Sequence, residues 1–347
     1  MWDVAIVGSG PAGASCAAFC AQAGLRTLVL ERAHFPREKV CGDCLNPACW
    51  PVLDRLGVSV EVRRAPHGQL SMVEFIGLDG RSVTAPLPAG KDAEIAIKRS
   101  ILDQILLRRA RSLGAEVREG ETLLSVTRSE HWQITTEQSM ERAPVLVAAD
   151  GRNSTVARLS NLMPRKGRDR VALQTHVPLP LDFGDRVVLQ LLAEGYSGQA
   201  PVGDGLLNLC LVSRPRDLPA IRHWAERQFS IPVDHAWRTI APLARAALPA
   251  SQPGLFLVGD AARVVEPFTG EGIYYALRSG ELAAAAIGAK DHRRYAAAHR
   301  RLYAGRLWIN LLSRSAVLHP RLTTGLLRYL PNEKRMLGRL TTKVVRL

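Results

Sequence analysis

Apolar positions along the chain switch between two spacings, and the switches outline a fold. "DVAIVG" (Asp3 to Gly8) and "RTLVLE" (Arg26 to Glu31) are unbroken apolar runs of strand length, joined by an alanine-rich stretch of helical character. They predict a βαβ unit. "MVEFIGLDGRSVTA" (Met72 to Ala85) reads as two strands around an Asp79-Gly80 turn, an antiparallel hairpin and therefore a change of lobe. "KRSILDQILLRRARSLGAEV" returns to helix and then strand: Ile101, Ile105 and Leu106 share a face, Ser100 and Asp103 make a capping signal, and Gly114 stops the helix. "APVLVAADG" (Ala143 to Gly151) and "GLFLVGDAA" (Gly254 to Ala262) are further buried strands, the segments between Val171 and Leu211 alternate as β-structure does, and "YYALRSGELAAAAIG" is helical.

The predicted class is α/β, α+β overall: a Rossmann-like domain of residues 1–64, 95–165 and 250–290, interrupted by an antiparallel β lobe of residues 65–94 and 166–249. A basic helical region, 291–347, follows.

With 47% hydrophobic residues the 347-residue chain can fill a sizeable core. Six cysteines are too few for a disulfide framework, and "MWDVAIVG" reads as a buried strand rather than a signal segment, so a reducing, cytoplasmic setting is expected. No apolar run approaches the roughly 20 residues needed to cross a bilayer. The net charge of +14 favours an anionic partner, and much of it is local: from Arg293 onward thirteen Lys or Arg stand against Glu333 alone. Leucines, Trp308 and Ile309 interleave with these arginines, which suits helices lying on an anionic membrane or capping a greasy substrate entrance, and equally an ordinary helical cap with solvated arginines. Nucleic acid is disfavoured, because no binding module accompanies the charge.

"GSGPAG" places Gly8, Gly10 and Gly13 in G-x-G-x-x-G spacing between strand and helix, where a pyrophosphate can approach backbone N–H groups at a helix N-terminus. Glu31, at the end of the next strand, stands where a carboxylate accepts from ribose hydroxyls, which fits FAD or NAD. Asp150-Gly151 and Gly259-Asp260 end two more buried strands, so these loops converge on one crevice.

With these motifs the chain resembles the glutathione-reductase-type FAD proteins of the aromatic-hydroxylase superfamily, and within them the geranylgeranyl reductase family. The resemblance covers nearly the whole chain up to the tail. It implies that Asp260 holds the FAD ribityl chain, that Asp150 and Gly151 lie along the pyrophosphate and pyridine-nucleotide approach, and that Arg99 contacts phosphate or ribose. Arg32, next to Glu31, joins the cofactor-binding candidates. "EPFTGEGIYYAL" implies a flavin end at Gly270, Gly272 and Ile273, where a helix N-terminus would stabilise the anion formed on reduction. Flavin hydroxylases carry P-x-x-G-x-G-x-N; here Tyr274 replaces the Asn, and the W-x-W-x-I-P signature of flavin halogenases is absent from the sequence.

"GYSGQAP" resembles the Y-x-W-x-F-P substrate segment of the reductases, with Tyr196 and Pro201 kept and Gly198 and Ala200 replacing two aromatic residues. That removes side-chain volume from the pocket wall and implies a substrate bulkier or differently shaped than a geranylgeranyl chain, so geranylgeranyl specificity is not carried over. Two activities remain open: hydride transfer from NAD(P)H through FAD to an alkene of an isoprenoid or polyketide-like substrate, or hydroxylation of an aromatic or polyketide ring with O2. A flavin-binding membrane adaptor is a third reading.

"KVCGDCLNPAC" holds Cys41, Cys44 and Cys49, with C-x-x-C spacing in the first pair. A zinc site lacks a fourth ligand at suitable spacing, and a redox dithiol of the disulfide-reductase type would be accompanied by a second G-x-G-x-x-G. "K-x-C-G-D" resembles the reductase loop over the flavin, which implies Cys41, Gly42 and Asp43 near the isoalloxazine. Cys41 is thus the catalytic candidate, Tyr274 a candidate proton donor, and Cys44, Cys49, Cys16 and Cys20 packing residues.

Overall fold

The structure is a computed structural model describing residues 1–164 and 170–329; the last part of the basic tail lies outside them. The apolar runs of the first lobe assemble into one parallel sheet, in the order Leu255–Leu257, Val145–Ala148, Val4–Val7, Thr27–Glu31, Glu116–Glu119, with Ser251–Gln252 added antiparallel at one edge. Both faces are covered, which is why these strands read as continuous rather than alternating hydrophobic runs. Val4, Ile6 and Val29 pack under the helices Pro11–Gln22, Arg99–Ser112 and Gly272–Gly288, while Ala5, Val7, Leu28 and Leu30 pack under a three-stranded meander, residues 123–143, carrying Val126, Trp132 and Ile134.

The second lobe is a seven-stranded sheet, Arg238–Ile240, Val171–Pro178, Leu206–Ser213, Gly195–Pro201, Arg186–Leu192, Met72–Ile76, Ser82–Pro86 in spatial order. One departure from the expected antiparallel lobe is informative. Arg186–Leu192 runs parallel to Met72–Ile76, and this is where the two sequence-distant parts of the lobe are joined. Helix Leu218–Gln228 covers one face through Ile221 and Ala225, packed on Leu207, Leu209 and Leu211. The opposite face carries Tyr196, Ala172 and Val212 and looks toward the parallel sheet.

A small sheet, Cys44–Leu45, Glu94–Ala96 and Gly68–Leu70, runs through the boundary expected near residues 94 and 95 and ties the lobes together. The expected Ser100–Asp103 cap does not form. The helix begins two residues earlier, at Arg99 with Lys98 in the cap position, and Asp103 is fully buried, bonded instead to the Arg99 guanidinium. Asn46 caps a short 3-10 turn that precedes helix Trp50–Leu56, its side chain accepting from Ala48 N.

Candidate functional site

The glycine motif is a steric requirement. Gly8 has φ +96°, and a Cβ there would stand 2.6 Å from Ala149 O; a Cβ on Gly13 would stand 1.9 Å from Gly8 O. The turn therefore nests against the neighbouring strand end and exposes the N-terminus of helix Pro11–Gln22, capped by Gly10. Two guanidiniums meet at that point: Nη2 atoms of Arg37 and Arg99 both lie 3.7 Å from where a Gly10 Cβ would be. Arg99 is held by Asp103, Nε to Oδ1 at 2.7 Å and Nη2 to Oδ2 at 2.8 Å, and Arg37 reaches the same carboxylate at 3.3 Å. Burial opposes the charge on Arg99, but Asp103 and the Cys41 thiol outweigh it and raise its pKa. Lys39 feels burial first and then the like charges of Arg99 and Arg37, which push its pKa down to about 8. Three cations and a helix N-terminus around one carboxylate make a site for a polyanion.

From there a continuous cavity of about 380 Å³ runs past loop 39–44 and the Pro267–Ile273 segment to the lobe wall at Phe75, Tyr196, Gly198 and Cys210. Two buried glutamates bracket the glycine loop at its middle. Glu266 takes a bidentate pair from Arg170 at 3.1 and 2.6 Å and the Tyr196 hydroxyl at 3.4 Å; Glu271 pairs with Arg306. Arg170 leads into the β lobe and Arg306 precedes helix Leu307–Leu318, so the loop is fixed by side chains from outside the parallel-sheet domain.

Loop 41–44 is pinned from below. Asp43, at φ +59°, accepts or shares a proton with His176 at 3.0 Å; Asn208 Nδ2 donates to Cys41 O at 3.0 Å, and the Cys210 thiol to the same carbonyl at 3.1 Å. Gln174 joins Asn208 to this network at 2.9 Å. Burial raises the Asp43 pKa against the pull of His176.

Residues 1–186, more than half of the chain, match the family described as FAD binding domain. Over 315 residues the chain is 30% identical to menaquinone reductase of Mycolicibacterium smegmatis, covering 81% of this chain and 75% of that protein. The chain belongs to the geranylgeranyl reductase family of FAD-dependent oxidoreductases. Its fold is shared with a geranylgeranyl bacteriochlorophyll reductase-like protein of Thermoplasma acidophilum (TM-score 0.73, 23% identity, 100% of this chain and 92% of that one). The flavin-dependent brominase Bmp2 has it too (TM-score 0.79, 22% identity, 98% and 93%).

The polyanion site and cavity of this oxidoreductase fit FAD. Gly10, Lys39 and Arg99, with Arg37 beside Gly10, would take the pyrophosphate; Gly151 and Asp260 line the same space; Gly42, Gly270, Gly272 and Ile273 line its middle, where an isoalloxazine would sit. Asp260 is met by Arg152 at 3.1 Å, and Arg245 donates to its backbone oxygen.

Other residues expected at the site lie off the cavity wall. Asp150 does not face the cavity: its Oδ2 accepts from Val156 N at 3.0 Å and closes the turn before the short helix Thr155–Leu159. Glu31 is buried away from it as well, accepting from Ser9 N, Ser9 Oγ and Ala33 N, so it holds the glycine turn directly. Arg32 is exposed and outside the cavity. Gly8, Gly13 and Gly259 shape the walls without lining them. Tyr274 points off the cavity because the helix presents Ile273 and Ala276 to it; its ring packs beside Tyr275, centroids 5.4 Å apart. Pro201 is also off the wall, its carbonyl packed on Gly68, whereas Tyr196 and Gly198 line it.

All six cysteines are free thiols. Cys41 lines the cavity beside Arg99, its pKa raised by burial; Cys44 also lines it, contrary to a pure packing role, and Cys49 is buried in the core. Sequence reasoning passed over Arg37, Lys39, Glu94, His176, Arg170 and Arg306. Only Lys39 stood inside a quoted motif; the others carry no spacing signal, since each reaches the site from a separate element.

Proposed function

We propose that this oxidoreductase takes electrons from NAD(P)H and reduces a carbon–carbon double bond in the polyprenyl part of a hydrophobic substrate. FAD, when bound, accepts two electrons from the nicotinamide and passes them on as hydride. The chain's own residues supply the rest. Arg37, Lys39, Arg99 and the helix N-terminus anchor the pyrophosphate; the Glu266 and Glu271 clamps hold the glycine loop; the Asp43–His176 network keeps Cys41 and Gly42 in place.

The observation that carries this reading is the character of the far cavity wall. Phe75, Val187, Leu189, Ala200 and Val212 face it, and a Cβ on Gly198 would meet only Leu189 Cδ2, at 3.7 Å, so room for an apolar tail remains where the family pattern has aromatic residues. The name of the Mycolicibacterium relative adds support, since menaquinone is a quinone bearing a polyprenyl tail.

The same reading places the C-terminal helices on an anionic membrane that stores such substrates. Trp308, Leu311 and Leu312 on Leu307–Leu318, and Leu322 and Leu326 on Pro320–Tyr329, are exposed apolar side chains beside Arg314 and Arg321, while Ser313 of the first helix lines the cavity. Among the described residues no helix is long and apolar enough to cross a membrane, so the contact is peripheral.

The test is product analysis with NAD(P)H, FAD-loaded protein and menaquinone or geranylgeraniol in vesicles with and without acidic lipid. A product with one polyprenyl double bond saturated, formed faster on acidic vesicles, is expected. Turnover only with O2 and gain of one oxygen contradicts alkene reduction; equal partition to neutral and acidic vesicles contradicts the membrane contact.

A further inference from the structure

Glu94 is a carboxyl in an unusual position. It lies on the three-stranded sheet that joins the two lobes, where it pairs with Leu70 and follows Ala93, whose carbonyl accepts from Trp50 Nε1. The side chain lines the cavity yet is only 8% exposed, and Oε1 comes within 4.0 Å of the point where a Cβ on Gly270 would stand. Its surroundings are apolar: Leu70, Ala96, Ala200 and Val202 form the cluster on that sheet, with Cys44 and Leu87 against it. Among the described residues it has no hydrogen bond and no ion pair.

A buried carboxylate without a cation or a donor is expensive, so the group keeps its proton instead. Burial alone raises its pKa to about 7, with no charged neighbour contributing. Burial pushes the thiols of Cys44 and Cys49 well up, and Glu94 adds to both shifts. Tyr274 is turned away, and the Asp43 carboxyl is engaged by His176. Glu94 is therefore the unengaged acid at the junction of flavin loop and substrate wall.

We propose that Glu94 supplies the proton of alkene reduction. The two electrons and one hydrogen of a hydride, delivered through FAD from NAD(P)H, form a C–H bond at one alkene carbon. The Glu94 O–H bond breaks and its proton forms the C–H bond at the other, so that C=C becomes CH–CH. The carboxylate left behind takes a proton from water before the next turnover. This inference rests on the alkene-reduction reading, and it gives Glu94 a role that a structural carboxyl would not have.

The experiment compares wild type, Glu94→Gln and Glu94→Asp, each loaded with FAD, with geranylgeraniol and menaquinone as probes. Difference infrared titration of wild type is expected to show a carboxylic C=O band that disappears around pH 7 and is missing in Glu94→Gln. In anaerobic single turnovers, reoxidation of bound flavin by the alkene falls on the order of 10²-fold in Glu94→Gln and less in Glu94→Asp. Wild-type rates in Glu94→Gln, or no band titrating near neutrality in the wild type, overturn the assignment while leaving alkene reduction intact. Failure of the wild type to reduce either alkene overturns both. Should Glu94→Gln not fold, the wild-type band and the Glu94→Asp rate decide: no band, or an unchanged rate, counts against Glu94.

Discussion

Asp43 Oδ2 lies 3.0 Å from His176 Nε2, and through this contact the loop carrying Cys41 and Gly42 is bolted to strand Val171–Pro178 of the substrate lobe. Both side chains are largely buried, and Asp43 Oδ1 has no partner among the described residues. His176→Leu removes the one side chain that opposes protonation of Asp43 through a hydrogen bond. A loss of about 1–3 kcal/mol in unfolding free energy is expected, the cost of stranding a buried polar group. Urea denaturation of the two proteins measures it; equal midpoints and slopes contradict the role given to the pair.

Lys39 gives the cofactor site a pH signature. In the free protein burial and the neighbouring arginines hold its pKa near 8, whereas a bound pyrophosphate opposes both effects and raises it. Below pH 8 the ammonium is already charged and binding takes up no proton there; above pH 8 binding must recharge it. FAD affinity should therefore weaken as pH rises from about 8 to 9. Equilibrium titration of apoprotein by flavin fluorescence reads this directly, and Lys39→Met should show weaker binding with a flat profile over the same range. A wild-type profile that is equally flat removes Lys39 from the phosphate site.

Much of this fold was legible in the chain. The runs Asp3–Gly8 and Arg26–Glu31 could be read because a strand covered on both faces must be apolar throughout. The glycines could be read because two backbone segments must pass in van der Waals contact there. What stayed hidden depends on distance through space rather than along the chain. Arg170 reaches Glu266 across 96 residues and His176 reaches Asp43 across 133, and no local pattern marks either pair. Helix phase was the other blind spot: Tyr274 and Ile273 are adjacent in sequence, but the first turn of Gly272–Gly288 presents Ile273 to the cavity and Tyr274 to the core. Asp150 is ambiguous from sequence for a third reason, because a turn acid next to glycine can serve its own backbone as well as a ligand.

Gly198 sets the reach of the pocket. A Cβ at this position would have only Leu189 within contact distance, so Gly198→Trp can be accommodated by filling cavity space rather than by displacing the sheet. Long polyprenyl tails should then bind at least about tenfold more weakly, within the range expected for a changed hydrophobic pocket, and short ones much less so. KM measured across a series of tail lengths checks this. Uniform loss for every length points to general misfolding of the lobe instead.

Glu94 also leaves a mark on stability. Its pKa is raised on folding from the ordinary 4.5 to about 7, so between those values the folded state holds a proton that the unfolded state has released. Stability from this group is full below pH 4.5 and falls as pH rises to 7, by about 3 kcal/mol for the whole interval. Glu94→Gln should therefore melt higher than wild type at pH 8, and the advantage should vanish near pH 5. A constant offset across that range contradicts a protonated Glu94.

The most direct test of the account as a whole is anaerobic. FAD-loaded protein is bleached with one equivalent of NADH or NADPH, then mixed with menaquinone or geranylgeraniol in detergent, and the oxidised-flavin absorbance is followed. Return of that absorbance without O2, matched by a product carrying two additional hydrogens on its polyprenyl chain, is the expected result; reoxidation by the quinone ring alone, with every chain double bond intact, contradicts it. Flavin that stays reduced until O2 is admitted, with oxygen appearing in the product, contradicts alkene reduction.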